Sequence, residues 1–182
     1  MLKKDKQRAP VAGYLVVRSL DDALKFYKKV FDAKENERYE DNKGKVWYSV
    51  LNVYDSPLQI MEPFKDMALV ATSLRAKASA GDSSMLSVVV DDVDAVFKKA
   101  IKAGGKSVIE PHDAYWGDRY AEFRDPFGHR WSCCGKSTTA QEISNPADAK
   151  KRFKNFLEEH NNPSSPATAG DIPVKVKSLT GK

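Results

Sequence analysis

YLVVRSLDDALKFYKKVFDAK, residues 14–34, and LSVVVDDVDAVFKKAIKAGGK, residues 86–106, decide the fold between them. Each opens on an apolar, β-branched strand, crosses an Asp-rich junction and continues as a helix. In the first helix the apolar positions are Leu20, Ala23, Leu24, Tyr27, Val30 and Phe31. In the second they are Val93, Val96, Phe97, Ala100 and Ile101, before Gly104 and Gly105 end it. One constant offset lays Leu20, Ala23, Leu24 and Tyr27 on Val93, Val96, Phe97 and Ala100. Both sets have the spacing of a single helical face packed on a sheet. Asp21 and Asp94 stand near the helix starts, where acids complement the helix dipole. The chain is an internal repeat, and that settles its architecture first.

Three further strands are expected after each helix. In the first half they fall near 35–40, 46–54 and 58–62, with turns at DNKGK and YDSP. In the second they fall near 106–110, 118–124 and 130–134, with DPFGH as the last turn. Asp, Pro and Gly there supply a backbone-bonding side chain, a preset φ and a permissive φ. The unit is β-α-β-β-β, used twice, which is an α+β fold. Residues 1–10 read as an N-terminal tail and 11–135 as one domain. Its first module is 11–64, its connector 65–84 and its second module 85–135. An extension over 136–160 carries a helix at 147–160 with Phe153, Phe156 and Leu157 on its apolar side, and 161–182 read as a flexible tail.

Composition excludes several classes. The chain of 182 residues is 41% hydrophobic and 30% charged, ordinary for a soluble domain with a sizeable core. A net charge of +5 is weak support for a nucleic-acid partner, because basic and acidic residues interleave except at MLKKDKQR and PVKVKSLTGK. No nucleic-acid partner is expected. No apolar run reaches membrane-spanning length and the N-terminus is too charged for a secretory signal. Cys133 and Cys134 are adjacent, so on a strand their side chains point to opposite faces and do not pair. A reducing, cytoplasmic setting follows as the expectation.

The repeat resembles the vicinal oxygen chelate superfamily, which includes glyoxalase I, bleomycin-resistance proteins and extradiol dioxygenases. Residues 12–134 are similar to it throughout, and most of all to its PhnB-like branch. The carriers are YLVVRSLDDALKFYKKVFDA (14–33), VDDVDAVFKKAIKAGG (90–105) and WGDRYAEFRDPFGHRW (116–131), the last being the most specific. TTAQEISNPADAKKRF (138–153) resembles the short tail often found after that hairpin. The resemblance implies curved mixed sheets forming an open cup, usually in a homodimer. Metal-dependent members line the cup with His on the first strand of each module and Glu on the last. Those positions fall on Ala12, Gln59, Met85 and Ser132, none a usual ligand of that class. His112, in an expected loop after Pro111, His129 in a turn and His160 at a helix end do not replace them. No metal and no cofactor are expected.

With those four positions facing the cup, strand alternation places Tyr14, Val16, Met61, Ser87, Val89 and Cys134 there too. Leu15, Val17, Leu58, Ile60, Leu86, Val88, Val90, Trp131 and Cys133 take the helix-packed face, which is far more apolar. On the middle strands Leu51, Val53, Ala121 and Phe123 look to the helices, leaving Tyr48, Asn52, Tyr120 and Glu122 for the cup. Tyr115 and Trp116 would close the rim.

Such a surface suits a small, planar or aromatic ligand held by Tyr14, Tyr48, Asn52, Gln59, Met61, Met85, Tyr115, Trp116, Tyr120 and Ser132. The other reading is aromatic filling or a dimer interface. Glu122 is the candidate catalytic residue: a carboxylate among aromatics suits general acid or base work, unless it pairs with Arg119, Arg124 or Arg130. His129 and Asp125 read as turn residues, and Cys134 and Ser132 lack the partners of a nucleophile. There is no Walker loop or dinucleotide fingerprint. Three functions remain: a metal-free binder of a planar or cationic molecule, a lyase, isomerase or dioxygenase using Glu122 or an atypical metal site, and a non-catalytic dimeric scaffold.

Overall fold

The computed structural model describes residues 11–64, 71, 82, 84–138 and 146–160, with the side chains of 146, 156, 157, 159 and 160 excepted. The N-terminal tail, nearly all of the connector, the tail over 161–182 and the apolar positions Phe156 and Leu157 lie outside the described residues. By its contacts the chain divides into two compact units. One comprises Met1–Pro111 with Tyr120–Gly135, the other His112–Arg119 with Lys136–Lys182.

The first module is built from β1 (Gly13–Val16), α1 (Leu20–Phe31), β2 (Lys34–Glu40), β3 (Val46–Val53) and β4 (Ser56–Met61). The second repeats it with β5 (Leu86–Val89), α2 (Val93–Lys102), β6 (Lys106–Asp113), β7 (Asp118–Arg124) and β8 (Arg130–Lys136). α3 (Pro146–His160) follows. Each module forms a four-stranded mixed sheet, ordered β1-β4-β3-β2 and β5-β8-β7-β6, with the outer pair parallel in the same way in both. The βαβββ repeat and the α+β class therefore stand.

α1 and α2 each start on a side-chain cap. The Ser19 hydroxyl accepts from the Asp22 N–H, and Asp92 Oδ1 accepts from the Ala95 N–H at 2.9 Å. α1 stops at Asp32, whose φ of 52° breaks the helical run. Two strands outrun the expectation. β6 continues through Pro111 to Asp113, so His112 lies in a strand and not in the loop assigned to it. A proline is tolerated there because β6 is the edge of its sheet and its missing N–H can face away from the ladder. β8 runs on past Gly135, which passes so near β5's end that an added Cβ would stand 2.2 Å from the Val90 carbonyl oxygen.

Alternation sorts the faces as the sequence implies. Leu15, Val17, Leu51, Val53, Leu58, Ile60, Val88, Val90, Ala121, Phe123, Trp131 and Cys133 join both helices in one buried core. α1 is shared between the modules. Phe31 lies 4.8 Å from the Trp131 ring and 6.3 Å from Phe123, centroid to centroid, and Phe26 meets Phe123 and Phe127. That double coverage buries Phe26, which the helical stripe alone leaves out, whereas Ile101 on α2 is 36% exposed despite falling on the expected stripe. The core is pinned by Asp125, 1% exposed: its Oδ2 accepts the Tyr27 hydroxyl at 2.6 Å and the Trp131 indole N–H at 2.9 Å. Its Oδ1 accepts the backbone N–H groups of Phe127 and His129.

Candidate functional site

Most of the expected site residues lie on the sheet faces turned from the helices, and the contacts group them in two sets. On the first sheet Tyr14 and Gln59 are paired across β1 and β4, and Tyr48 lies opposite Met61 across β3 and β4. The Tyr14 hydroxyl donates to the Met61 sulfur at 2.7 Å, and the Tyr48 hydroxyl donates to Gln59 Oε1 at 3.1 Å. Tyr39 on β2 adds a third ring, 5.5 Å from Tyr48 and T-shaped to it, while Tyr14 stands 6.4 Å from Tyr48. Tyr14 is 45% and Tyr39 59% exposed, so a row of rings faces solvent with the Tyr14 and Tyr48 hydroxyls already oriented. Asn52 sits half-buried on β3 opposite Pro57. Tyr39 escapes a sequence reading because β2 slips register beside it, which upsets simple alternation.

The second sheet's set is polar. Arg130 Nε donates to Glu122 Oε2 at 2.7 Å, and its Nη2 closes on the same oxygen. The Tyr120 hydroxyl donates to Glu122 Oε1 at 2.6 Å, and Ser132 hydrogen-bonds Tyr120. Burial first, then the bond to Glu122 and its charge, push the Tyr120 hydroxyl up to about 12, so it stays a donor at neutral pH. Of the three arginines considered for Glu122, the fold selects Arg130. Arg119 instead pairs with Asp113. Both Glu122 oxygens are thus engaged, and the geometry gives this carboxylate a positioning job more readily than a proton-transfer one.

Asp82, from the connector, completes this set. Its carboxylate accepts from both terminal nitrogens of Arg124, at 2.6 and 2.5 Å, and from Arg130 Nη1 at 3.3 Å. The Arg124 hydrogen bonds hold the Asp82 carboxyl below its ordinary range. A depressed folded value means stability that is complete above the unfolded carboxylate value and disappears as pH falls through the folded one. Asp82→Asn should therefore cost up to about 1 kcal/mol at pH 7, the scale of partly exposed pairs. The variant and the native chain should converge in acid, once the pH has fallen below the depressed folded value and the carboxylate is protonated in both states. Urea melts at the two pH values check this, and an unchanged gap in acid would deny the ion pair its role.

Other expected positions find other neighbours. Met85 precedes β5 and is 45% exposed. Tyr115 and Trp116 belong to the second unit: Tyr115 packs on Phe153 of α3 at 5.4 Å, and the Trp116 indole donates to Asp118 at 2.9 Å. Cys133 is buried in the core, its thiol pushed up to about 12 by burial, and Cys134 is on the other face; both are free thiols. A cavity of about 430 Å³ opens where β1 approaches β5, lined by Tyr54, Pro57, Leu58, Leu86 and Trp131 among others. None of the residues expected to hold a ligand lines it, although Ser87 and Val89 of the expected cup face do.

The four positions aligned with the superfamily's metal ligands do not fit a divalent ion. Ala12 offers no donor, the Gln59 oxygen already accepts from Tyr48, Ser132 is 1% exposed and bonded to Tyr120, and Met85 is a soft thioether. Among the described residues, no three His, Cys, Asp or Glu side chains come together. Among them, too, no helix is long and apolar enough to cross a membrane.

Comparison with known proteins agrees with this architecture. The profile of the Glyoxalase/Bleomycin resistance protein/Dioxygenase superfamily matches residues 9–133. An uncharacterized protein of Mycobacterium bovis is 34% identical over 122 residues, covering 67% of this chain and 80% of that one. A PhnB protein from Bacillus cereus superposes with a TM-score of 0.55 at 14% identity, over 70% of this chain and 99% of that one. The fosfomycin resistance protein FosX from Listeria monocytogenes gives 0.52 at 14%, over 72% and 95%. At such identities the structural likeness speaks for the fold alone.

Proposed function

The chain belongs to the glyoxalase/bleomycin resistance protein/dioxygenase superfamily, and on that premise we propose that it binds a small planar molecule on the outer faces of its sheets, without a resident metal. The observation that carries this reading is the row Tyr14, Tyr48 and Tyr39. Its outer rings are about half exposed, while the hydroxyls of Tyr14 and Tyr48 are tied to Met61 and Gln59. Flat rings held in place offer stacking area at low entropic cost. A scaffold whose cup is filled by its own side chains would cover such rings, so their exposure favours the binder. An acid–base reaction centred on Glu122 is the weaker reading, since Arg130 and Tyr120 occupy its oxygens.

The PhnB-like branch, a cytoplasmic setting and a homodimer belong to the same proposal. The WGDRYAEFRDPFGHRW motif supports the first and the free thiols the second. Val89, 74% exposed at the end of β5, and Met85, 45% exposed before its start, offer apolar surface for a second copy, and light scattering on the purified chain tests that. Binding is tested by fluorescence quenching and thermal shift across a panel of planar compounds. Tyr14→Ala should weaken a hit about tenfold, the worth of one aromatic contact. A panel in which no compound quenches or stabilises the protein would remove the reading.

A further inference from the structure

We propose that the guanidinium groups of Arg124 and Arg130 form an anion seat for a small organic carboxylate, and that Asp82 is its internal occupant. The inference rests on the reading of the outer faces as ligand walls, and it adds the charge of the ligand. Three N–H-bearing nitrogens converge on one point: Arg124 Nη1 and Nη2 and Arg130 Nη1 all address the Asp82 carboxylate, at 2.6, 2.5 and 3.3 Å. The Arg124 fork meets the two oxygens in parallel, a geometry that matches a planar carboxylate and not a point charge.

The donors are held in place without Asp82. Arg124 Nη1 also donates to the Gly128 carbonyl at 3.0 Å, which ties the side chain to the β7–β8 turn. Arg130 is fixed by Nε and Nη2 on Glu122, which Tyr120, itself bonded to Ser132, holds from the other side. Glu122 is spent on Arg130, so the charge of Arg124 is met by Asp82, which reaches it from 42 residues away in the chain. Lifting Asp82 out frees both terminal nitrogens of Arg124 and Arg130 Nη1 on a prearranged frame, with Glu122 still on Arg130 and the charge of the buried Asp125 still acting on Arg124. The Asp82, Arg124 and Arg130 side chains are 18, 30 and 28% exposed, so a solute can reach the pair, and pairs exposed to this degree hold weakly. An arriving carboxylate therefore exchanges one anion for another at the same donors.

The test compares benzoate with neutral benzamide by isothermal titration, on the native chain, Asp82→Ala and Asp82→Ala/Arg124→Gln. Benzoate should bind Asp82→Ala about tenfold more tightly than the native chain, as expected where a competitor leaves the site open a tenth of the time. Benzamide should bind all three proteins alike, and Arg124→Gln should cancel the benzoate gain. Asp82→Asn, which keeps the side chain's size, should show a smaller gain in the same direction. Benzoate affinity unchanged by either Asp82 substitution overturns the anion seat, as does an equal gain for benzamide. Benzamide binding that survives such a failure would leave the aromatic platform standing, whereas silence from both probes on all three proteins would overturn the anion seat and leave the platform to be decided by the wider panel of planar compounds.

Discussion

Asp125→Ala should lower the stability of the protein by about 4 kcal/mol and its melting temperature by about 8–16 °C. Asp125 sits where both modules meet on α1, and four donors point at its carboxylate. Truncation leaves the Tyr27 hydroxyl and the Trp131 indole N–H without an acceptor in a region sealed from water, since Tyr27 is 0% and Trp131 2% exposed. Each buried donor left unmade costs about 1–3 kcal/mol. The two turn N–H groups add less, because Phe127 and His129 are half-buried and water can serve them. Burial, and then the charge and bond of Asp125, raise the Tyr27 hydroxyl well above its ordinary value, so it remains a proton donor throughout the accessible pH range.

The size of the loss should follow the number of donors stranded. Asp125→Asn keeps one oxygen but turns an amide N–H₂ toward a pair of donors, so it should cost about half as much as alanine. Tyr27→Phe removes one donor and leaves the carboxylate three, and should cost about 1.5–3 kcal/mol. Chemical denaturation of the three variants reads this order directly. An alanine variant that melts within a degree or two of the native chain would mean that the carboxylate is not what joins the modules.

What the sequence reveals and what it hides divide along one physical line. Periodicity is local, and it found the faces: the alternation of Leu15, Val17, Leu58, Ile60, Trp131 and Cys133 is also the membership of the core. The helix starts, read from the stripes beginning at Leu20 and Val93, are local too, and the caps that the structure shows at Ser19 and Asp92 need only a side chain and an N–H three residues on. Partnerships across the chain carry no such period. Asp125 reads as a turn residue, which it is, and nothing in DPFGH announces Tyr27 at 98 residues' distance. Phe26 lies off the helical stripe until a second module arrives to cover it, and Asp82 lies in a connector that reads as mere linkage. The Glu122 environment shows the same limit: composition predicts a carboxylate among aromatics, but only the fold chooses Arg130 over Arg119 and Arg124.

That choice carries the second large effect. Arg130→Met should cost about 3 kcal/mol, the lower end for a broken ion pair, because a quarter of the arginine side chain is open to solvent. Methionine keeps much of the stem's volume, so the loss reports mainly the carboxylate left behind. Glu122 is 5% exposed and would retain only the Tyr120 hydroxyl of the partners described for it. The diagnostic comparison is the double variant. Adding Glu122→Gln to Arg130→Met removes the stranded charge and should restore about half of the loss, which makes the coupling about 1.5 kcal/mol plus whatever Glu122→Gln costs alone, where independent sites agree to within about 0.5. Arg130→Lys should fall between, keeping the charge but losing the donors that close on one oxygen. A merely steric role for Arg130 predicts no such recovery. If the cycle closes to zero, Arg130 holds Glu122 no better than water would, and the arginine frame on which an anion seat depends is not preformed.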